Sequence, residues 1–94
     1  GCAPWLAGQL AAARVPEAAL WWVNAVDAAG RATDPDPLRA LRPRATLALG
    51  WAAAAWCTRN GLAAERFTNP QHHKRFHHRE PYPLLERLRE LTRC

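Results

Sequence analysis

The sequence predicts an all-α fold, a compact bundle of four to five helices in a single domain spanning residues 1–94. Prolines and glycines stand where helices would begin or end, and no alternating run of β-branched or aromatic residues is present. A chain of this length can bury roughly 60% of its unfolded surface, so neither a disulfide nor a metal is needed for folding. The composition, 49% hydrophobic and 22% charged, is typical of a globular domain.

The first two helices are predicted to follow Pro4 and Pro16. At 100° per residue, the polar side chains of 17–29 lie within about 80° of one another, and they are Glu17, Asn24 and Asp27. A helix with such a narrow polar stripe should be nearly enclosed, with Trp21 and Trp22 largely buried. Trp22→Ala is then expected to cost about 3–5 kcal/mol of stability.

The stretch "WLAGQLAAARVPEAALWWVNAV" resembles the helical hairpin from which tetratricopeptide repeats are built. The resemblance covers this stretch alone, and the repeat's second copy is lacking. It implies an antiparallel pair of helices as the base of the fold. A bundle of four or five helices satisfies the same pattern.

The middle of the chain is predicted to be a linker followed by a third helix. Residues 31–44 carry three prolines and should form at most one helical turn after Asp36. In 44–59, Trp51 and Trp56 are about 140° apart around a helix axis. Either this helix is enclosed as well, or one of its tryptophans faces solvent.

The last third of the chain predicts two further helices. Asn69 is a good N-cap and Pro70 suits the first helical position, so a helix is expected over 70–79. The stretch "PLLERLRELTR" is amphipathic, with a stripe formed by Leu84, Leu88 and Leu91. Glutamates three residues before arginines predict ion pairs in it, namely Glu86–Arg89 and Glu90–Arg93.

The charge pattern provides two basic groups as candidate binding surfaces. The chain has thirteen basic and eight acidic residues, a net charge of +5, which permits acidic partners without requiring them. The two groups are Arg39, Arg42 and Arg44, and Lys74, Arg75 and Arg79. With Phe76 as a stacking surface they would suit nucleic acid. The alternative is that these cations are ordinary solvated side chains over an apolar core.

Four histidines lie in the stretch "HHKRFHH", which raises the question of a metal site. In a helix, His73 and His77 stand at i and i+4 and could share an ion, whereas His72 and His78 point about 100° away from them. Zinc sites use three or four protein ligands, and the neighbouring cations oppose a bound metal. The sequence therefore predicts neither a metal nor a cofactor.

Catalytic chemistry has little support in the sequence. Serine is absent, no glycine-rich phosphate loop occurs, and Cys57 lies in a tryptophan-rich helix where an inert thiol is expected. Asp34 and Asp36 suit turn and cap positions among prolines. The three scattered cysteines indicate a reducing, cytoplasmic protein, with a bridge between Cys2 and Cys94 left open. We therefore expect a protein that is not an enzyme.

Five tryptophans in 94 residues are more than a small helical core usually holds, and exposed tryptophan beside arginine is typical of binding hot spots. The predicted function is a non-catalytic protein–protein interaction module, a small regulatory or adaptor subunit, whose partner has an acidic surface. A helical nucleic-acid-binding protein is the alternative, and no membrane contact is expected. The predicted contact residues are Trp5, Trp56 (or Trp51, whichever faces out), Arg39, Arg42, Arg44, His73, Lys74, Arg75, Phe76, His77 and Arg79.

Overall fold

The computed structural model describes residues 3–93, and its architecture is mixed rather than all-α. The helices are α1 (Ala3–Ala12), a 3-10 helix (Glu17–Ala19), α2 (Asp36–Leu41), α3 (Trp51–Arg59), α4 (Pro70–His77) and α5 (Pro83–Thr92). The strands are β1 (Leu47–Leu49) and β2 (Glu65–Phe67). The strands pair into a small parallel sheet, so the predicted all-α class is wrong.

The sheet arises because the predicted third helix begins late. Its first residues form β1 instead, and Gly50 then turns the chain at φ 99°, a conformation that suits glycine. Helix α3 forms the crossover that a parallel pair of strands requires. The Glu65 amide donates to the Thr46 carbonyl oxygen at 2.9 Å beside the pairing. Strands of three residues are too short to show an alternating hydrophobic pattern, which explains why the sequence did not predict them.

The enclosed helix predicted over 17–29 is also wrong, and with it the tetratricopeptide-like hairpin. Only the 3-10 helix forms, and Leu20 is already extended. A turn then closes around Asp27, whose Oδ1 accepts hydrogen bonds from the amides of Ala29 and Arg31 at 2.9 Å. The residues on either side of this turn, Val26 and Ala32, form an antiparallel bridge. Side-chain bonding of aspartate to the backbone therefore prevails over the helix propensity of the alanines.

The linker predicted over 31–44 contains more structure than expected. Asp34 accepts a hydrogen bond from the Asp36 amide at 3.0 Å, and α2 then runs for six residues. It ends at Arg42, whose φ of 50° is the left-handed conformation of a helix C-cap. Proline at position 43 cannot continue the helix, which fixes this end.

Contacts group the chain into two units. Residues up to Trp21 and those from Phe67 on form one unit, and Trp22–Arg66 form the other. The buried hydrophobic residues of the first unit are Leu6, Leu10, Val15, Tyr82, Leu84 and Leu88. Those of the second are Leu38, Ala48, Trp56 and Cys57, which form one cluster. The amphipathic pattern predicted for α5 is confirmed, since Leu84 and Leu88 are buried.

The helices of residues 3–93 are short. The longest, α1 and α5, have ten residues each, about half of what a helix crossing a bilayer needs.

Replacing Trp22 with alanine should change the free energy of unfolding by less than about 1 kcal/mol, because exposed side chains contribute little packing. Trp22 is 54% exposed, contrary to the burial expected from the sequence. Urea denaturation of the variant, followed by circular dichroism, measures the change. A loss of about 3 kcal/mol or more would indicate an enclosed helix instead.

Candidate functional site

Helix α4 carries the most distinctive chemistry of the chain, and its start confirms the prediction from the sequence. The Asn69 side chain accepts a hydrogen bond from the Gln71 amide at 2.8 Å, and Pro70 occupies the first turn. The Asn69 side chain thus satisfies a backbone amide that would otherwise have no partner at the start of the helix. Pro70 fixes φ near the helical value, and its missing N–H is not needed at this position. Helix α4 then ends at His77. Its last turn carries cationic side chains, which interact favourably with the negative end of the helix dipole.

The inward side of α4 is built on His73, which is 5% exposed. Its ring stacks on Tyr82 with centroids 4.4 Å apart and planes 17° from parallel. Its Nε2 lies 3.0 Å from the Glu80 carbonyl oxygen. Because a carbonyl oxygen only accepts, Nε2 must carry the hydrogen. The residue predicted as a surface contact is therefore a buried anchor of the helix.

Two further aromatic residues complete this anchor. Trp5 of α1 is half-buried, and its ring centroid is 6.1 Å from those of both His73 and Tyr82. The Tyr82 hydroxyl donates to the Thr68 carbonyl oxygen. The aromatic anchor, defined as Trp5, His73 and Tyr82, thus joins α1, α4 and the residue before α5. The sequence prediction placed Trp5 in a partner contact, but it also has this internal role.

The outward side of α4 is cationic and partly aromatic. Arg75 follows His73 by two residues, about 200° around the helix, so it lies nearly opposite the anchor. Phe76 is 60% exposed, with the Arg75 guanidinium 5.3 Å from its ring centroid. The His72 ring is 4.9 Å from that of Phe76. We define the cationic face of α4 as six exposed residues of the helix and of the turn that follows it: His72, Lys74, Arg75, Phe76, His78 and Arg79.

The histidines of α4 lie close together without forming a metal centre. The ring centroid of His77 is 5.8 Å from that of His72 and 5.9 Å from that of His73. His73 Nε2 is already bonded to Glu80, and His77 Nδ1 lies 3.1 Å from the Glu80 carboxylate. Within residues 3–93, no group of three or more histidine, cysteine or acidic side chains is arranged to hold an ion.

The second predicted basic group lies in the other unit, around α2. Arg39 forms an ion pair with Asp36 at 2.9 Å and also donates to the Asn60 carbonyl oxygen at the end of α3. Arg42 is the left-handed C-cap of α2, and both Arg42 and Arg44 are exposed. Arg39 therefore supports the fold of its unit.

The two tryptophans of α3 face opposite environments. Trp56 is 3% exposed, and its indole N–H donates to the Thr33 carbonyl oxygen at 3.0 Å. Trp51 is 78% exposed, with the Arg66 guanidinium 3.8 Å above its ring. Of this pair, Trp51 is the residue available for contact and Trp56, the residue named in the prediction, is not.

Trp21 and Trp22, predicted to be largely buried, are both exposed, and so is Val23 beside them. Tryptophan and valine favour extended backbone over helix, and Pro16 stands just upstream. This local preference was the available signal, and the helical period of 17–29 obscured it.

Cysteine chemistry gives no candidate nucleophile among the described residues. Cys57 is buried in α3, and desolvation by burial raises the pKa of its thiol. A thiol that resists ionisation is a poor nucleophile. Cys2 and Cys94, for which a bridge was left open, lie outside the described residues.

Comparison with protein-family models, with curated proteins and with solved structures gives no match for this chain.

Replacing Lys74, Arg75 and Arg79 with glutamine should leave the free energy of unfolding within about 0.5 kcal/mol of the wild type, because exposed charges contribute little to stability. Thermal and urea denaturation measure this. A loss of several kcal/mol would mean that these cations hold the fold together rather than form a surface.

Proposed function

We propose that the protein is a non-catalytic protein–protein interaction module, acting as a small adaptor or regulatory subunit. The observation that supports it best is the number of large hydrophobic side chains at the surface of residues 3–93. They are Trp21, Trp22, Val23, Val26, Leu41, Trp51 and Phe76. Aromatic residues exposed in this number favour contact with another macromolecule, since tryptophan leads the residue types that dominate binding energy.

The environment of Trp51 supports this proposal further. The Arg66 guanidinium covers one side of its ring, while most of the side chain remains exposed. A tryptophan that is already held by a neighbour loses little side-chain freedom on binding, which lowers the entropic cost of association. Trp51 is therefore the first candidate for a contact that dominates affinity.

The charge favours an acidic protein as the partner, since basic residues outnumber acidic ones by five. Nucleic acid is a second candidate, because α4 combines exposed cations with an exposed phenylalanine. A cytoplasmic location is part of the proposal and rests on the sparse, scattered cysteines.

A capture experiment with matched variants tests the proposal. The immobilised chain is exposed to a nuclease-treated extract of the source organism, beside a Trp22→Ala/Trp51→Ala variant. We expect the wild type to retain a protein in stoichiometric amount and the variant to lose it. The purified partner should then bind the free chain saturably in solution.

The control is an Arg31→Gln/Arg59→Gln variant, which alters two exposed side chains outside the apolar set. It should retain the partner. Retention from an untreated extract that is lost from the nuclease-treated extract would favour the second candidate. Partner retention unaffected by the tryptophan substitutions would contradict the role given to the exposed aromatic residues.

A further inference from the structure

We propose that Trp51 and Arg66 together form a binding site for an acidic side chain of the partner protein and for an apolar residue beside it. The Arg66 guanidinium receives the carboxylate, and the open side of the Trp51 ring receives the apolar residue. The inference rests on the proposed function and extends it, because it adds Arg66 as a contact residue and names the chemistry that the site recognises.

The two side chains are positioned by the parallel sheet and its crossover helix. Trp51 is the first residue of α3, directly after the turn at Gly50, and Arg66 is the middle residue of β2. The pairing of β2 with β1 brings Arg66 to the start of α3, where its Cζ lies 3.8 Å from the centroid of the Trp51 ring. Both residues belong to the same unit of the chain. Helices and strands hold a site more precisely than loops do.

No carboxylate of residues 3–93 pairs with the Arg66 guanidinium, whose contact there is the Trp51 ring. Glu65 precedes Arg66 in β2, and successive side chains of a strand point to opposite faces. The other three carboxylates of the unit are engaged near α2 and in the 27–31 turn. They form the pairs Asp27–Arg31 and Asp36–Arg39, and Asp34 accepts a hydrogen bond from the Asp36 amide. Arg66 therefore retains its capacity to bind an anion.

The contact with Trp51 prepares the guanidinium for a carboxylate. At 3.8 Å the guanidinium is in van der Waals contact with the indole face. This contact uses the flat surface of the guanidinium, while its N–H groups lie in its plane and can donate two parallel hydrogen bonds to one carboxylate. Because Arg66 is already held in place, it loses less side-chain freedom when the partner binds.

The other side of the Trp51 ring is open to an apolar group. Trp51 is 78% exposed although the guanidinium covers one side of its ring. One helical turn further along the same side of α3 stands Ala55, which is exposed and too short to cover the ring. An apolar side chain that packs on Trp51 would exclude water from the neighbouring ion pair, as the surroundings of binding hot spots do.

A single acidic side chain fits this site better than a strand of nucleic acid. Nucleic acid is bound by a row of cations that follows its phosphates, whereas the Trp51–Arg66 pair supplies one guanidinium. The unit as a whole has six basic and four acidic residues, so its excess of positive charge is small. The expected motif of the partner is a glutamate or aspartate next to a hydrophobic residue.

The test titrates the isotope-labelled chain with the blocked peptide Gly-Glu-Phe-Gly at millimolar concentration and follows binding by NMR. The indole N–H signal of Trp51 and the guanidinium Nε–H signal of Arg66 should shift saturably. The peptide Gly-Gln-Phe-Gly has nearly the same shape without the charge. It should bind at least about tenfold more weakly, because the charge-assisted hydrogen bonds are lost.

Variants then assign the carboxylate to Arg66, with the Trp51 indole signal as the readout. Arg66→Gln should weaken binding of Gly-Glu-Phe-Gly at least about tenfold. Arg66→Lys keeps the charge but loses the planar fork, so it should still bind at least about threefold more weakly than the wild type. The matched control, Arg59→Gln, removes an exposed arginine at the other end of α3 and should bind within about twofold of the wild type.

Four results would overturn the site: no saturable shift of the Trp51 signal, equal binding of the glutamate and glutamine peptides, equal weakening in Arg66→Gln and Arg59→Gln, or undiminished binding by Arg66→Lys. Tighter binding of an oligothymidylate than of Gly-Glu-Phe-Gly would also overturn it, in favour of nucleic acid. The titration needs only the purified chain and synthetic ligands. If it fails while the capture experiment succeeds, the site is rejected and the proposed function stands.

Discussion

Replacing Trp56 with alanine should lower the free energy of unfolding by about 3–5 kcal/mol, the range found for buried aromatic residues. Trp56 is almost wholly inaccessible and belongs to the core cluster with Leu38, Ala48 and Cys57. Its indole N–H also donates to the Thr33 carbonyl oxygen, which ties the 24–33 turn region to α3. The substitution removes the packing and leaves that carbonyl without its partner. Both losses lower the free energy of unfolding.

Trp51→Ala is the matched control, because it removes the same side chain from the same helix. Trp51 is exposed, so its loss should change stability by less than about 1 kcal/mol, even with the loss of its contact with Arg66. Guanidinium denaturation of both variants compares them directly. Equal losses of stability in the two variants, or a larger loss for Trp51→Ala, would contradict the assignment of Trp56 to the buried side of α3.

Replacing His73 with alanine should lower the free energy of unfolding by about 2–4 kcal/mol, because a buried ring and a hydrogen bond are lost together. The ring packs against both Trp5 and Tyr82, and its Nε2–H satisfies the Glu80 carbonyl. Chemical denaturation followed by tryptophan fluorescence is suitable, since Trp5 adjoins the site. Phenylalanine at position 73 should restore part of the loss by replacing the stack alone.

His72→Ala is the control for that experiment, since it removes a neighbouring imidazole that is exposed. Its effect should stay within about 0.5 kcal/mol. If the two alanine variants were equally stable, α4 would not be anchored through His73. The orientation assigned to the cationic face would then lose its basis.

The elements that the sequence predicted well are those whose determinants are local. Helix α4 starts where Asn69 and Pro70 place it, and α5 buries two leucines of its stripe, Leu84 and Leu88, while Leu91 is half-buried. Of the two ion pairs predicted for α5, Glu86–Arg89 forms, whereas Glu90 pairs with Arg87 instead of Arg93. Capping groups and i, i+3 neighbours act within one or two helical turns, so sequence spacing is sufficient to identify them.

The elements that were mispredicted depend on pairings that the hydrophobic pattern does not reveal. The turn around Asp27 is fixed in part by Thr33, whose amide donates to the Ala25 carbonyl and whose hydroxyl donates to the Asn24 carbonyl. Strand β1 exists because β2 pairs with it across the whole of α3. Hydrophobic periodicity carries no information on such pairings, and alanine fits a helix, a strand or a turn.

In the candidate site, too, local features were predictable and features that depend on the rest of the fold were not. The exposure of Arg75 and Phe76 was predictable, since a helix with few apolar residues must leave one side in water. The burial of His73 was not, because it depends on Tyr82 nine residues later and on Trp5 at the other end of the chain. A histidine buried among aromatic rings and one at the surface have the same local sequence.

Hydrogen exchange of the chain, alone and saturated with the partner protein recovered by capture, tests the central claim most directly. We expect slower amide exchange on binding in 70–79 and around Trp22 and Trp51, with the peptide covering 83–92 unchanged. Slower exchange confined to 83–92, or no change in 70–79 and around Trp51, would contradict the claim that the protein binds its partner through exposed aromatic residues.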